Sequence, residues 1–217
     1  MLEFFFDCSS PWTYLAFHNI QPMAAELNEP IRWRPVLVGG IFNSVNPSVY
    51  AMRDNPVPAK MSYMLKDLQD WSRAAGLKIV MPPRVFPVNS VKVMRGCIWL
   101  EPQGKLLPFA TAVFEAYWAR EEDISQDAVL TNICAQVGVD GYAFLAGIAQ
   151  PAIKEQLKAN TEEVIRRGGF GSPTVYLGDD MYFGNDRLPL VKAAVLRMRA
   201  TAQGHPTAIV PIMPPAA

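Results

Sequence analysis

Cysteine and histidine are scarce in this chain of 217 residues, which has three cysteines and two histidines. Cys8, Cys97 and Cys134 lie far apart and form no CxxC pair, a pattern that fits neither a disulfide framework nor a zinc site. Two histidines are also too few for a histidine-rich metal centre. We therefore predict free thiols in a reducing compartment and no metal site.

The sequence also lacks an excess of charge and a long apolar run. Lys plus Arg and Asp plus Glu both total 20, so the net charge of zero argues against nucleic acid as the main partner. No apolar stretch reaches the about 18 residues of a membrane span. The residues after Met1 show neither the basic segment nor the cleavage site of a signal peptide. These absences predict a cytoplasmic protein that binds neither nucleic acid nor membrane.

Half of the residues are hydrophobic, and their spacing predicts an α/β protein. Residues 2–6 are typical of a buried strand, residues 11–27 follow a Ser-Pro helix start, and residues 31–37 are typical of a second strand. Such a β-α-β unit forms a parallel strand pair. Residues 39–58 contain Gly-Gly and Asn-Pro pairs and are predicted to form a loop.

A long helical segment separates this unit from a second group of strands. The helical patterns fall at residues 61–71 and at roughly 89–101, 106–120, 125–137 and 140–148. After them, an α-β-β-α order runs from residue 151 to about residue 200. The two outer pieces together predict a four-stranded sheet domain of residues 1–40 plus 165–203. Residues 41–164 are then an inserted helical domain, and residues 204–217 a Pro-rich tail.

The segment FDCSSPWTY at residues 6–14 carries a family signature of the form D-x-x-S-P-aromatic-small-Y. Further matching segments are YMLKDL at 63–68, FPVN at 86–89, FGSPT at 170–174 and FGNDRL at 183–188. Together they resemble the family of 2-hydroxychromene-2-carboxylate isomerases and kappa-class glutathione transferases, over about residues 2–200. The resemblance implies a thioredoxin-like α/β fold of the DsbA type, with a large all-helical insertion.

Related thioredoxin-fold oxidoreductases carry C-P-x-C where this chain has Ser10-Pro11-Trp12-Thr13, so hydroxyls replace both sulfur atoms. The thiol must then come from outside, and the resemblance implies glutathione, bound in part by Ser10, Pro11 and Trp12. Ser10 would donate its O–H to the glutathione sulfur, and the helix N-terminus would lower the thiol pKa. Two alternatives stay open: Ser10 is only a structural N-cap, or Cys8 is the reactive thiol.

The second half of the expected glutathione site lies near the C-terminus. Ser172-Pro173 resembles the cis-proline element of thioredoxin-like folds, which would expose the Ser172 backbone to the cysteinyl backbone of glutathione. The alternative is an ordinary turn proline. Gly184, Asn185 and Asp186 would hold the carboxylate and ammonium groups of the γ-glutamyl end. Alternatively, Asp186 only caps the last helix.

The candidates for the substrate site are five polar residues: Asn46, Arg53, Asp54, Lys60 and Asn89. Asn46, Lys60 and Asn89 match positions that line the ligand site in the family. Lys60 would pair with a carboxylate, and its alternative is an exposed helix face. Asn89 would otherwise cap a helix, and Arg53-Asp54 would otherwise belong to a loop.

The resemblance implies a glutathione-dependent isomerase of 2-hydroxychromene-2-carboxylate or a similar aromatic-degradation intermediate. The glutathione thiolate would add to an unsaturated, ring-opened form of the substrate, a bond would rotate, and the thiolate would leave. The alternatives are a kappa-like transferase or peroxidase, a thiol–disulfide oxidoreductase that relies on Cys8, and a binding protein without catalysis. The resemblance also implies a homodimer.

Overall fold

The computed structural model describes residues 1–202, so the predicted Pro-rich tail at 204–217 lies outside the described residues. The strands are β1 (Leu2–Phe6), β2 (Ile31–Pro35), β3 (Thr174–Leu177) and β4 (Asp180–Phe183). The α-helices are α1 (Pro11–Glu26), α2 (Val38–Val45), α3 (Ser48–Asp54), α4 (Pro58–Ala74), α5 (Val91–Leu100), α6 (Leu106–Phe114), α7 (Asp127–Gln136), α8 (Gly141–Ile148), α9 (Pro151–Arg166) and α10 (Leu188–Ala202). Short 3-10 helices span Glu101–Gln103 and Asn185–Arg187, and a π-helical turn spans Glu115–Ala119.

The four strands form one sheet in the order β2-β1-β3-β4. β1 pairs in parallel with β2, with Leu2 opposite Ile31, and antiparallel with β3, with Leu2 opposite Leu177. β3 and β4 form an antiparallel hairpin. The predicted parallel pair and the thioredoxin-like α/β fold with a helical insertion are therefore confirmed.

β1 is apolar except at Glu3, because both of its faces are covered over most of its length. Phe4 and Phe6 point to the α1 side, where their rings lie 5.4 and 6.0 Å from the ring of Trp33. Phe5 points to the opposite face and meets Tyr176 edge-on at 5.6 Å. A strand that is buried on both faces shows no polar alternation. The apolar run ends at Asp7, where the chain leaves the sheet.

The helical insertion shares the hydrophobic core of the sheet. The ring of Phe114, in α6, stacks on Tyr14 of α1 at 5.0 Å and lies 5.1 Å from Phe17. One continuous cluster of buried side chains includes β1, α1 and helices α5 to α8. The insertion therefore supports α1 directly. The division into residues 1–40 plus 165–203 and 41–164 stays a prediction.

The prediction of a loop at residues 39–58 is wrong, because α2 and α3 occupy most of this segment. The first turn of α2 begins where the Val38 N–H donates to the Asp7 carboxylate at 2.8 Å. Ile41 is fully buried, and a Cβ on Gly40 would lie 3.3 Å from the Thr161 side chain of α9. Packing against β1 and α9 therefore overrides the weak helix propensity of the glycines. The second strand also ends at Pro35, earlier than predicted.

The close approach of α5 and α8 yields a stability prediction. A Cβ on Gly96 would lie 2.6 Å from the ring of Phe144, whereas a Cβ on Gly39 would meet nothing within 4 Å. Gly96→Ala should lower the free energy of unfolding by about 1–3 kcal/mol through overpacking. Gly39→Ala, on an exposed helical position, should raise it by up to about 1 kcal/mol. Urea unfolding of both variants measures these changes. Equal changes in the free energy of unfolding would contradict the close contact between Gly96 and Phe144.

Candidate active site

Ser10 is the N-cap of α1, directly after the turn that follows β1. Its backbone is extended (φ −108°, ψ 126°), and its Oγ accepts from the Thr13 N–H at 3.2 Å. The same hydroxyl donates to the Ser172 carbonyl oxygen at 3.2 Å. Ser10 is therefore a structural cap, as one interpretation expected. The cap uses only a lone pair of Oγ, so the proton that the Ser172 carbonyl accepts can turn towards a ligand without loss of the cap.

Ser172 joins the two halves of the candidate site. Its Oγ lies 2.8 Å from Thr13 Oγ1 and accepts from the Asp7 N–H at 3.0 Å. The Ser172-Pro173 peptide bond is cis, as expected from the motif. The two positions where oxidoreductases carry sulfur, Ser10 and Thr13, are thus both bonded to one residue of the cis-proline segment. Pro11 and Trp12, which lie between them, are half-buried.

The Gly184-Asn185-Asp186 segment lies beside the cis-proline. The Gly184 N–H donates to the Pro173 carbonyl at 3.1 Å, and Gly184 has φ 99°, which favours glycine. Asn185 is buried, and its Oδ1 accepts from Asn19 Nδ2 of α1 at 2.9 Å. Asn185 Nδ2 has no hydrogen-bond partner within the described chain. A buried amide donor without a partner fits an oxygen-rich ligand group such as a carboxylate.

Asp7 is the buried carboxylate of this region, and it accepts four hydrogen bonds. Oδ1 accepts from the N–H and the Oγ of Ser9, at 3.0 and 2.9 Å. Oδ2 accepts from the Val38 N–H at 2.8 Å and from Ser90 Oγ at 3.0 Å. Burial raises the pKa of Asp7, while the four donors oppose that shift. The donors thereby stabilise the charged form that burial disfavours.

Cys8 is held in the same turn but lies inside the core. Its N–H donates to Met94 Sδ at 3.5 Å, and its carbonyl oxygen accepts from Trp118 Nε1 at 2.9 Å. Burial raises the pKa of the Cys8 thiol well above its usual range, and the Asp7 charge adds to the effect. A nucleophilic thiol needs a lowered pKa and access to solvent. The structure therefore opposes the alternative in which Cys8 is the reactive thiol.

Arg53, an exposed residue of α3, lies beside three aromatic rings. Its guanidinium carbon lies 5.9 Å from the ring centroids of Phe42 and Tyr50 and 5.6 Å from that of Phe86. A Cβ on Gly171, next to Ser172, would lie 3.7 Å from Phe42. This cation and its three rings form the Arg53 cluster, in which Phe42 lies next to the cis-proline segment. Rings and a guanidinium together suit an aromatic carboxylate.

The other substrate candidates differ in what they contact. Asn46 Nδ2 donates to the Phe170 carbonyl at 3.1 Å, which ties the end of α2 to the cis-proline segment. Asn89 Oδ1 accepts from the Val91 N–H at 3.0 Å, so this exposed residue satisfies the first N–H of α5, although the N-cap position itself is Ser90. Asp54 and Lys60 are exposed, and in residues 1–202 no hydrogen bond or ion pair joins them to Ser10 or Ser172. Asp186 is exposed and pairs with Arg187.

Several residues of this region were not assigned a role from the sequence. Asp7 had a usable signal, because a carboxylate directly after a buried strand needs donors. The bonds from Ser90 and Trp118 to the turn gave no local signal, since their sequence separations are 83 and 110 residues. The aromatic partners of Arg53 were missed because α2 and α3 were predicted to be a loop.

Neither a metal centre nor a membrane span is found within residues 1–202. Across this range, no group of three or more His, Cys, Asp or Glu side chains is placed to hold a metal ion. None of the helices described has both the length and the apolar character to cross a bilayer.

Comparisons with known proteins agree with this geometry. A model of the DSBA-like thioredoxin domain family matches residues 1–196. The 2-hydroxychromene-2-carboxylate isomerase of Pseudomonas putida is 27% identical over 201 residues, which cover 91% of this chain and 95% of that protein. Glutathione S-transferase kappa 1 of Homo sapiens is 28% identical and covers 88% of each chain. A solved 2-hydroxychromene-2-carboxylate isomerase has a TM-score of 0.79 and 25% identity, covering 95% of this chain and 99% of its own.

The fold and the site together define a thioredoxin-like protein in which hydroxyl side chains stand at the redox positions. The chain belongs to the DsbA-like thioredoxin domain family, since the family model covers nearly all of it. The resemblance inferred from the sequence motifs is thereby confirmed.

The raised pKa of Asp7 predicts a pH effect on stability. Between its unfolded pKa of about 4 and its higher folded pKa, the folded state binds more protons, so this group lowers stability as pH rises. The wild type should therefore lose stability relative to Asp7→Asn as pH increases from about 4, by up to about 1.4 kcal/mol per pH unit within that window. Urea unfolding over a pH series measures the difference.

Asp123→Asn is the matched control for this pH effect. Asp123 accepts from the N–H and Oγ of Ser125 at 3.0 and 2.7 Å, the same Asp-x-Ser turn as Asp7 and Ser9, but it is near the surface. Hydrogen bonds from Ser125 lower the pKa of Asp123. The wild type should gain stability relative to Asp123→Asn as pH rises towards about 4, and above that pH the difference should stay constant. If the stability difference between wild type and variant changed with pH in the same way for Asp7→Asn and Asp123→Asn, the account of Asp7 would be contradicted.

Proposed function

We propose that this chain is a glutathione-dependent isomerase that acts on 2-hydroxychromene-2-carboxylate or a similar aromatic-degradation intermediate. The observation that carries the proposal is the Ser10 hydroxyl at the N-terminus of a 16-residue helix, in a chain whose three cysteines are all buried. A site built to stabilise a thiolate, without an accessible thiol of its own, needs one from a small molecule. The relatives named as isomerases of this substrate, matched over most of the chain, support the choice of reaction.

The residues around Ser10 fit glutathione. The unpartnered Asn185 Nδ2 and the N–H groups that follow Gly184 suit the γ-glutamyl carboxylate, and exposed Asp186 suits the ammonium group. The Ser172 backbone, next to the cis bond, suits the cysteinyl backbone, with Pro11 and Trp12 beside the sulfur. Glutathione bound there supplies the thiolate that adds to the substrate and later leaves.

The contribution of the protein is to stabilise negative charge and to orient the groups. Ser10 Oγ keeps accepting from the Thr13 N–H and turns its proton from the Ser172 carbonyl to the sulfur. The positive end of α1 adds to this donor, so both lower the thiol pKa. Thr13 is fully buried and keeps Ser172 in place through its own hydroxyl.

We assign the substrate to the face formed by the Arg53 cluster. The Arg53 guanidinium suits the substrate carboxylate, and the rings of Phe42, Tyr50 and Phe86 suit its aromatic ring. Further lining residues in this proposal are Asn46, Asp54, Lys60 and Asn89. Asn46 has the strongest support, because it bonds to the segment that leads to Ser172.

A kappa-like transferase or peroxidase is the second candidate, since a relative of that name matches 88% of the chain. Both reactions use the same thiolate, and the fate of the glutathione adduct separates them. An isomerase regenerates free glutathione, whereas a transferase consumes it. Product analysis with one equivalent of glutathione and excess 2-hydroxychromene-2-carboxylate distinguishes these outcomes.

We further propose a cytoplasmic homodimer. Cytoplasm supplies reduced glutathione and suits three free cysteines. Large apolar side chains on α2 to α4 and the loop between α3 and α4 are more exposed than a monomer favours, among them Met52 at 61% and Tyr63 at 66%. Sedimentation equilibrium tests the dimer, and a mass of one chain at micromolar concentration would contradict it.

Ser10→Ala tests the proposed reaction centre. Removing a hydrogen-bond donor to the thiolate should lower kcat/KM for the isomerisation by about 10²-fold. The N-cap is lost as well, at a cost of about 1 kcal/mol in stability. Asp140→Ala is the matched control, because Asp140 caps α8 by accepting from the Ala143 N–H at 2.7 Å, away from Ser10. It should lose similar stability and no activity, and undiminished turnover in Ser10→Ala would refute the role.

Asp186→Ala and Arg53→Gln should separate the two ligands. Asp186→Ala removes the acceptor for the ammonium group and should weaken glutathione binding at least about 10-fold in a calorimetric titration. Arg53→Gln should leave that titration unchanged and raise KM for the substrate about 10-fold, because only the substrate carboxylate loses its partner. The reverse pattern would contradict the assignment of Asp186 to glutathione and Arg53 to the substrate. So would a variant that weakens glutathione binding and also raises KM for the substrate.

A further inference from the structure

The turn between β1 and α1 depends on a residue to which the proposed reaction gives no role. The Asp7 carboxylate is 1% exposed and accepts from Ser9, Val38 and Ser90. Oδ1 is used within the turn itself, by the N–H and Oγ of Ser9. Oδ2 is used by two later helices, through the first N–H of α2 and the hydroxyl of Ser90, the N-cap position of α5 in the insertion. One carboxylate therefore joins the turn that precedes Ser10 to two helices.

The backbone of the same residue completes this link. The Asp7 N–H donates to Ser172 Oγ at 3.0 Å, and its carbonyl accepts from the Ser10 N–H at 3.3 Å. Ser10 Oγ then reaches the Ser172 carbonyl. The position of the Ser10 hydroxyl is thus fixed through Asp7 on one side and Ser172 on the other.

The environment of Asp7 calls for an acceptor-only group. Two of its four contacts come from backbone N–H groups, and an amide at this position would turn its own N–H₂ towards some of the donors. Within residues 1–202, Asp7 is held by hydrogen bonds from Ser9, Val38 and Ser90 and by no ion pair with Lys, Arg or His. The titratable groups that sense its charge are Cys8, Cys97 and Tyr117, and burial raises the pKa of each, so they stay neutral.

We propose that Asp7 is a positioning residue: its carboxylate fixes the turn that presents the Ser10 hydroxyl and couples that turn to the helical insertion. The part that concerns catalysis rests on the proposed function, because it takes Ser10 as the thiolate donor. Asp7 does not touch substrate or glutathione in this account. Its effect passes through the geometry of residues 7 to 10, where a small displacement misaligns the hydroxyl.

A positioning role and a charge effect of Asp7 predict opposite changes in the pKa of a thiol near Ser10, which makes the proposal testable. If Asp7 acted by its negative charge alone, Asp7→Asn would lower the pKa of a nearby thiol. If it positions the turn, Asp7→Asn should raise that pKa, because the helix end and the hydroxyl are no longer aligned. Ser90→Ala keeps the charge and removes one anchor, so positioning predicts a rise there too, and a smaller one.

The experiment uses Ser10→Cys as a reporter, which needs no glutathione. The introduced thiol lies at the N-terminus of α1 and should have a pKa below about 8.5, while Cys8, Cys97 and Cys134 are buried and do not interfere. Its pKa, from the pH dependence of alkylation by iodoacetamide, is measured alone and combined with Asp7→Asn, Ser90→Ala or Asp123→Asn. We expect the pKa to rise by about one with Asp7→Asn, by less with Ser90→Ala, and not at all with Asp123→Asn.

Either of two results overturns the proposal. A fall in the reporter pKa with Asp7→Asn would assign a charge effect, and an unchanged pKa with a lowered unfolding midpoint would leave Asp7 purely structural. In the native Ser10 background, Asp7→Asn and Ser90→Ala should lower kcat about 10-fold or less while the glutathione dissociation constant stays within about two-fold. If the wild type binds no glutathione, the proposed function fails, and the reporter series still decides the role of Asp7.

Discussion

The buried carboxylate of Asp7 is the contact on which the geometry of the site depends. It lies where the central strand leaves the sheet, and each of its oxygens accepts two hydrogen bonds. A buried charge without a cation is costly unless donors replace its hydration. Three separate segments supply those donors, so the cost is offset only when the turn, α2 and the start of α5 are assembled together. The helical insertion is in this sense part of the site.

A thioredoxin fold normally presents a thiol at the helix N-terminus, and here the same position presents a hydroxyl. Ser10 and Thr13 both bond to Ser172, so the pair that would carry redox chemistry forms a network with the cis-proline segment. The buried cysteines cannot replace the missing sulfur, because burial raises their pKa values. What remains is a donor, a helix end and an unpartnered amide at Asn185, which together suit an external thiol.

The sequence predicted those parts of the fold whose signals are local. The apolar run before Asp7 and the Ser10-Pro11 helix start each determine structure within a few residues, and both were placed correctly. The loop predicted at residues 39–58 failed because α2 is stabilised by contacts with Asp7 and α9 that no local pattern shows. The links from Ser90 and Trp118 to the turn are tertiary for the same reason. The motifs, by contrast, identified Ser10, Ser172 and Asn185, which the structure brings together.

The proposed chemistry depends most on whether the Ser10 end of α1 stabilises an external thiolate. The most direct test is an ultraviolet titration of glutathione bound to the wild-type protein, which follows thiolate absorbance against pH. A stabilised thiolate predicts that the pKa of the bound thiol lies at least about one pH unit below the value near 8.5 of a free cysteine thiol. Saturable binding with an unchanged thiol pKa, or no binding at millimolar glutathione, would contradict it.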